Sequence, residues 1–166
     1  MPMRLRHSLR LVMLCAWLLC VALPAGAVTV CTVSATALAF GSVSSLSSTA
    51  ATSTATVGVS CIITLSGLAA VPYTLSMGVS STSGSMTRTM AGPSTTTLSY
   101  NVYTSGAYSS VWGNGSAGTS QISGSVTPTV LGVAGSTSHT AYGKVPLPQA
   151  VKPGSYTDTI IVTVNY

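Results

Sequence analysis

The last eight residues of the chain, Thr159-Ile160-Ile161-Val162-Thr163-Val164-Asn165-Tyr166, carry the clearest structural signal in the sequence. Successive side chains of a β-strand point to opposite faces of the sheet. Four apolar side chains therefore share one face of this segment: Ile160, Val162, Val164 and Tyr166. The opposite face is mostly polar. The alternation predicts a terminal strand with one face directed into a hydrophobic core.

The residues around this strand indicate what it lacks. Lys152-Pro153-Gly154-Ser155 is a turn sequence, because Pro fixes φ and Gly permits positive φ. No residue follows Tyr166 to form another strand. In an immunoglobulin-type sandwich the missing strand would be the last one. We therefore expect an open hydrophobic groove flanked by unpaired backbone groups, which is an aggregation hazard.

The rest of the chain also favours β-structure. It is rich in Thr, Ser, Val and Gly, and Asp158 is its only acidic residue. Short alternating runs recur between Gly, Ser and Pro clusters: Val57–Ile63, Tyr73–Val79, Thr97–Tyr103, Gln121–Val126 and Thr159–Tyr166. This spacing predicts an all-β sandwich or barrel. The low-complexity segment 42–56 is expected to be a loop or an edge strand.

The N-terminus has the features of a secretory signal peptide. Met1–Arg10 is basic, Leu11–Leu23 is apolar, and Ala25-Gly26-Ala27 is a small-residue cleavage site. We expect residues 1–27 to be removed and residues 28–166 to form one domain. Removing 27 of the 166 residues leaves 139, which is enough for a hydrophobic core.

Charge excludes several classes of partner for the mature chain. It would keep three basic residues, Arg88, Lys144 and Lys152, against Asp158, so its net charge is +2 rather than the +5 of the whole sequence. So few charges give no basic patch for nucleic acid and no polybasic membrane anchor. No apolar run of transmembrane length remains after cleavage.

The cysteines agree with export. Cys15 and Cys20 leave with the leader, so the mature chain keeps Cys31 and Cys61. An even pair in a secreted domain most simply forms one disulfide, worth about 3–4 kcal/mol in the chain-entropy model. Two cysteines and the distant His139 do not make a zinc site, and we expect no metal or other cofactor.

Three single residues have more than one interpretation. Arg88 is either a buried anchor or a solvated loop charge. Trp112 precedes the turn sequence Gly113-Asn114-Gly115, so it either packs beside a hairpin, which we favour, or forms an exposed adhesive aromatic. Asp158 either pairs with Lys144 or Lys152 or stabilises a local turn.

The mature chain resembles the spore coat protein U domain family, whose members include the pilins of archaic chaperone–usher pili. The landmarks of the resemblance occur in order along the chain: Cys31-Thr32-Val33, Leu38-Ala39-Phe40-Gly41, Val57–Cys61, Leu98–Tyr103, Val111–Gly115, Tyr142–Pro146 and Pro153–Asp158. Their order and spacing together are more specific than any one motif.

The resemblance implies an incomplete immunoglobulin-like β-sandwich that lacks its last strand and is completed by a donor strand. A periplasmic chaperone would lend this strand first, and an outer-membrane usher would then exchange it for the N-terminal strand of a sibling pilin subunit. Such subunits are exported through the periplasm and form surface fibres that promote attachment and biofilm formation. The sequence identifies no surface receptor.

The chain departs from the family pattern ahead of its first cysteine. Only Val28-Thr29-Val30 would precede Cys31, and three residues span only ~10 Å, too little to fill a groove made for a full strand. This predicts a tip or terminal subunit. The alternatives are a misassigned start or leader, or donation of another segment.

A catalytic function has little support in the sequence. Paired-carboxylate chemistry needs two acids, and the chain has one. No Gly-x-Ser-x-Gly elbow, phosphate loop or dinucleotide fingerprint is present. We therefore expect a pilus subunit rather than an enzyme. The alternatives are a secreted spore-coat or matrix protein of the same fold and a self-sufficient carbohydrate-binding sandwich.

Overall fold

A computed structural model describes residues 28–64 and 68–166, so the expected signal peptide at 1–27 lies outside the described residues. These residues form eight strands: β1 (Thr29–Ala35), β2 (Ala51–Ile63), β3 (Val71–Met77), β4 (Arg88–Ala91), β5 (Thr97–Tyr103), β6 (Ile122–Val126), β7 (Gly135–Val145) and β8 (Val162–Asn165). A single 3-10 turn, Pro93–Thr95, joins β4 to β5. Nowhere in this part of the chain is there a helix long and apolar enough to cross a membrane.

The strands form two antiparallel sheets. The larger sheet has the order β1-β2-β7-β5-β4 and the smaller sheet has the order β6-β3-β8. The longest ladder joins β2 to β7, from Ala51 opposite Val145 to Cys61 opposite Gly135. This architecture confirms the expected all-β sandwich.

The core lies between the sheets and is built from alternate strand residues, as a period of two requires. Leu75 of β3 and Val145 of β7 are fully buried, and Val57 and Val59 of β2 are 1% exposed. Trp112 is also fully buried, and its indole N–H donates to the Leu75 carbonyl at 3.2 Å. Trp112 is therefore a core residue and not an exposed adhesive aromatic.

The first half of β2 agrees with one expectation. Segment 42–56 was expected to be a loop or an edge strand. Residues 42–50 form no strand, and residues 51–56 are the part of β2 that pairs with β7 but lies beyond the β1 ladder, which spans Val57 to Ile63. The threonines of this half face outwards, whereas Ser53 and Ala55 face inwards. Such small inward side chains do not produce the usual contrast between apolar and polar residues.

The segment that follows β1 explains why these inward side chains are small. Ser53 donates its hydroxyl to the Ala39 carbonyl at 2.5 Å, which holds residues 36–41 beside β2. A Cβ added to Gly143 of β7 would lie 2.5 Å from Leu38 and 2.8 Å from Phe40. Leu38 and Phe40 thus occupy the space that larger side chains on β2 and β7 would fill.

A disulfide confirms the expected pairing of the two cysteines. Cys31 of β1 and Cys61 of β2 lie directly opposite each other in the ladder and are joined through their sulfur atoms. Both are buried, at 8% and 0% exposed. The bridge fixes the outermost strand of the larger sheet to its neighbour.

Candidate functional site

An open cavity of about 1080 Å³ lies between the two sheets. Two chain segments form its walls, residues 35–46 after β1 and residues 151–160 before β8. Apolar side chains from both sheets form much of the rest of its lining: Val57, Met77, Met90, Leu98, Val102 and Val162. We call this cavity the groove. It can hold a row of apolar side chains out of water.

Strand β8 runs along the groove with one edge free. It is the outer strand of the smaller sheet, and within residues 28–64 and 68–166 it pairs with β3 alone, from Thr74 opposite Asn165 to Met77 opposite Val162. The Gly78 amide donates to the Ile161 carbonyl at 2.8 Å, which identifies a hydrogen-bonded pair. Because such pairs alternate along an antiparallel ladder, the backbone groups of Val162 and Val164 point away from β3. They lie at the free edge and are available to another strand.

The structure brings together most of the side chains expected along this strand. Ile160 and Val162 line the groove and are half-buried. Val164 is half-buried on the same face but lies outside the groove lining. Tyr166 follows the end of β8, is 58% exposed and does not line the groove. Ile161, on the opposite face, is 73% exposed.

The wall before β8 is fixed to the end of β4. The backbones of Thr157 and Ala91 exchange two hydrogen bonds of 3.0 and 2.8 Å. The Tyr156 hydroxyl donates to the Lys152 carbonyl at 2.6 Å and lies 3.0 Å from the Thr96 hydroxyl. Gly92 makes this packing possible, since a Cβ there would lie 2.1 Å from the Tyr156 ring.

Asp158 lies in the same wall and has different partners from those expected. Its Oδ1 accepts hydrogen bonds from the Ser81 hydroxyl at 2.8 Å and from the Thr82 amide and hydroxyl at 3.2 and 3.1 Å. Its Oδ2 accepts from the Tyr100 hydroxyl at 2.7 Å. The bonding partners are therefore hydroxyl and amide groups rather than Lys144 or Lys152.

These hydrogen bonds determine the protonation of the carboxyl group. Burial alone would raise the pKa of Asp158, but hydrogen bonds from Tyr100, Ser81 and the Thr82 amide outweigh burial and hold the pKa below its ordinary value. Asp158 is accordingly ionised at neutral pH.

Arg88 connects the two sheets near the groove. Its guanidinium is fully buried and donates to Asn101 Oδ1 at 2.9 Å, to the Gly78 carbonyl at 2.8 Å and to the Trp112 carbonyl at 2.9 Å. Burial lowers the pKa of Arg88 from its ordinary value, while Tyr100 and Asp158 act in the opposite direction. The sequence did not decide between a buried anchor and a solvated loop charge, and the structure shows a buried anchor.

The arrangement is suited to binding rather than to bond-making chemistry. Among residues 28–64 and 68–166, no three His, Cys, Asp or Glu side chains come close enough together to hold a metal ion. His139 faces the interior, where its Nε2 lies 2.6 Å from the Tyr73 hydroxyl. What the site offers is an apolar groove beside a free strand edge.

Comparison with known proteins identifies a family, and several solved structures are similar in fold. The family model described as Spore Coat Protein U domain matches residues 18–163. No curated protein matches the chain in sequence. One chain of the CsuC–CsuE complex of Acinetobacter baumannii is similar in fold, with a TM-score of 0.55 and 20% identity. That structure is described as a chaperone–tip adhesion subunit pre-assembly complex from archaic chaperone–usher Csu pili. The match covers 84% of the present chain and 40% of the other.

Proposed function

Because the chain belongs to the Spore Coat Protein U domain family, we propose that it is a structural subunit of an archaic chaperone–usher pilus. It receives a donor strand from another polypeptide, which completes its immunoglobulin-like sandwich. The resulting fibre serves surface attachment and biofilm formation. A structural role of this kind requires no catalytic group.

The free edge of β8 beside the groove carries this proposal. In strand addition, backbone hydrogen bonds supply affinity while alternate side chains fill pockets. The Val162 and Val164 backbone groups supply the first element, and the groove supplies the second. An unfilled groove and free edge would favour aggregation, so the subunit needs an occupant from synthesis onwards.

The proposed partners follow from this requirement. A signal peptide at residues 1–27 would direct the chain to the periplasm, where a chaperone fills the groove. An outer-membrane usher then exchanges the chaperone for a sibling subunit, and the fibre is displayed at the cell surface. If cleavage leaves only Val28-Thr29-Val30 ahead of Cys31, the subunit takes a tip or terminal position.

Periplasmic expression of residues 28–166 with and without a cognate archaic chaperone tests this function. Size-exclusion chromatography and mass analysis should detect a soluble one-to-one complex with the chaperone and aggregation or loss without it. A stable, soluble monomer that does not bind the chaperone would contradict the proposal and favour a self-sufficient carbohydrate-binding sandwich. Multimers that form without ordered fibres would favour a spore-coat or matrix protein.

A matched pair of substitutions on β8 and the residue before it makes the test specific to the groove. Val162→Lys places a charge on the inward face, whereas Ile161→Lys places the same charge on the exposed face. We expect V162K to abolish recovery of the chaperone complex, because an unpaired charge is costly to bury, and I161K to leave it intact. Equal recovery of both variants would argue against occupation of the groove.

A further inference from the structure

The C-terminal segment passes from one sheet to the other immediately before β8. Thr157 is still paired with Ala91 of the larger sheet. Two residues later, the Thr159 carbonyl accepts from the Ser81 amide at 3.1 Å, and the Ile161 carbonyl accepts from Gly78. The crossing is thus confined to a single residue, Asp158.

The Asp158 carboxylate contacts both sides of this crossing. Oδ1 accepts from Ser81 and Thr82, which follow the smaller sheet's strand β3. Oδ2 accepts from Tyr100, on the inner face of β5 in the larger sheet. Ser81 also accepts a bond from the Thr159 amide at 3.1 Å, so the same loop holds the residue that follows.

From this geometry we infer that Asp158 is a positioning residue that sets the register of β8 and thereby selects the residues presented to a donor strand. The inference rests on the proposed function for its consequence, since the groove must receive a strand for the register to matter. The role of Asp158 in setting the register of β8 depends only on contacts within this chain.

Register is decisive here because side chains alternate with a period of two. A slip of one residue would turn Ile161 into the groove and Val162 out of it. The same slip would exchange the backbone groups that face β3 with those at the free edge. The ladder is already irregular at this point, because two residues lie between Gly78 and Ser81 while only one lies between Thr159 and Ile161. Because the β3–β8 ladder is irregular here, its own hydrogen bonds do not fix the register of β8. A contact outside the ladder is needed to fix it.

An ionised carboxylate suits this position better than other polar groups. Every group that hydrogen-bonds to the Asp158 carboxylate is a donor, and an ionised carboxylate can only accept hydrogen bonds. An amide of the same shape would direct an NH₂ group at these donors. The charged and titratable groups facing Asp158 are the Tyr100 hydroxyl and the Arg88 guanidinium.

Hydrogen exchange measured by mass spectrometry on residues 28–166 tests the inference, on the chaperone complex where that complex forms and on the free chain where it does not. In Asp158→Asn we expect exchange across residues 159–165 to rise about tenfold, with β2 and β7 unchanged. Recovery of the chaperone complex should fall with it. Ser125→Lys on the exposed face of β6 raises the net charge equally and should match the wild type.

A pH profile separates positioning by the ionised group from a merely structural role. Protection of residues 159–165 in the wild type should be lost as the pH falls through the lowered pKa of Asp158. After correction for intrinsic exchange, D158N should show no such step. Should D158N fail to fold, Thr82→Val and Tyr100→Phe each remove one hydroxyl donor to Asp158 and should raise exchange in the same segment by less.

The two proposals fail in distinguishable ways. Wild-type exchange across residues 159–165 in D158N, T82V and Y100F would overturn the role of Asp158, whatever the chaperone does. A wild-type chain that forms no chaperone complex but exchanges faster in D158N would keep that role and overturn the donor-strand function.

Discussion

At the scale of single residues, two charged side chains hold the sandwich in opposite ways. Arg88 donates to carbonyl and amide oxygens of both sheets, and Asp158 accepts from hydroxyl and amide donors of both sheets. Neither hydrogen-bonds to the other in the described residues, so each is satisfied mainly by neutral groups. Buried charges held in this manner fix geometry, because removing one leaves several partners without a bond.

Replacing Arg88 by Met should therefore destabilise the fold strongly. The Gly78 and Trp112 carbonyls would lose their donor, at about 1–3 kcal/mol for each buried unsatisfied group, so we expect a loss of about 3 kcal/mol or more. Urea unfolding followed by the fluorescence of buried Trp112 measures it. Lys152→Met, at an exposed position, is the control and should change stability by less than about 0.5 kcal/mol. Equal stabilities for the two variants would contradict the anchoring role of Arg88.

The residue types in the sequence predicted the environment of some side chains but not their hydrogen-bond partners. Trp112 was correctly favoured as a core residue, because a turn sequence follows it. The partners of Asp158 were missed, because Ser81 and Tyr100 lie far from it in sequence and hydroxyl residues are abundant. Only the fold brings them to one carboxylate.

At the scale of strands, the sequence predicted a strand where large apolar residues on one face alternate with polar residues on the other. β5 was predicted with its observed bounds, since large apolar residues alternate with polar ones. The whole of β7 was missed and the first half of β2 was left open between a loop and an edge strand, because the inward residues Gly143 and Ala55 are too small to give the apolar alternation of a strand. Their size is set by Leu38 and Phe40 from another segment, which no local pattern reveals.

The residues of the groove were likewise predicted only in part. Its Ile160 and Val162 were predicted from the alternation of the terminal strand. Met77 and Met90 and the two walls were not, because the groove forms where distant segments meet. Tyr166 fitted the alternation but lies beyond the last paired residue, where nothing holds it inwards.

Removing the disulfide tests the attachment of β1. Cys31→Ser combined with Cys61→Ser should lower the free energy of unfolding by about 3–4 kcal/mol, since the bridge closes a loop with a sequence separation of 30. Thermal unfolding of the oxidised wild type and the double variant measures the loss. Reduction of the wild type should reproduce it, and an unchanged transition would show that the bridge contributes little.

At the scale of the whole molecule, a low charge content makes stability depend on few titrating side chains. Asp158 is the only acidic side chain, and its pKa is lowered in the folded chain. Burial, followed by the hydrogen bond to Asp158, raises the pKa of Tyr100 above its ordinary value, although Arg88 opposes the shift. These two linked groups contribute to the acid and alkaline limits of stability, the alkaline one together with Tyr73, whose pKa burial also raises.

The sign of each effect follows from linkage. Asp158 contributes stability that is present above its unfolded pKa of about 3.9 and is lost as the pH falls through the lower folded value. Tyr100 contributes stability that is present below its unfolded pKa of about 10 and is lost as the pH rises through the raised one. Melting temperatures from pH 2 to 11 should show a plateau between two declines. D158N should flatten the acid decline and Y100F the alkaline one, and unchanged declines would assign them to other groups.

The bridge between Cys31 and Cys61 also determines how the molecule would carry mechanical load. An outer strand pulled from its end normally peels away one hydrogen-bonded pair at a time, at low force. Tension applied ahead of Cys31 can peel only the short stretch before the bridge and then passes through a covalent bond into β2. There it meets the long β2–β7 ladder in the middle of the sheet. A domain with such a bridge resists mechanical unfolding that starts at its outer strand β1.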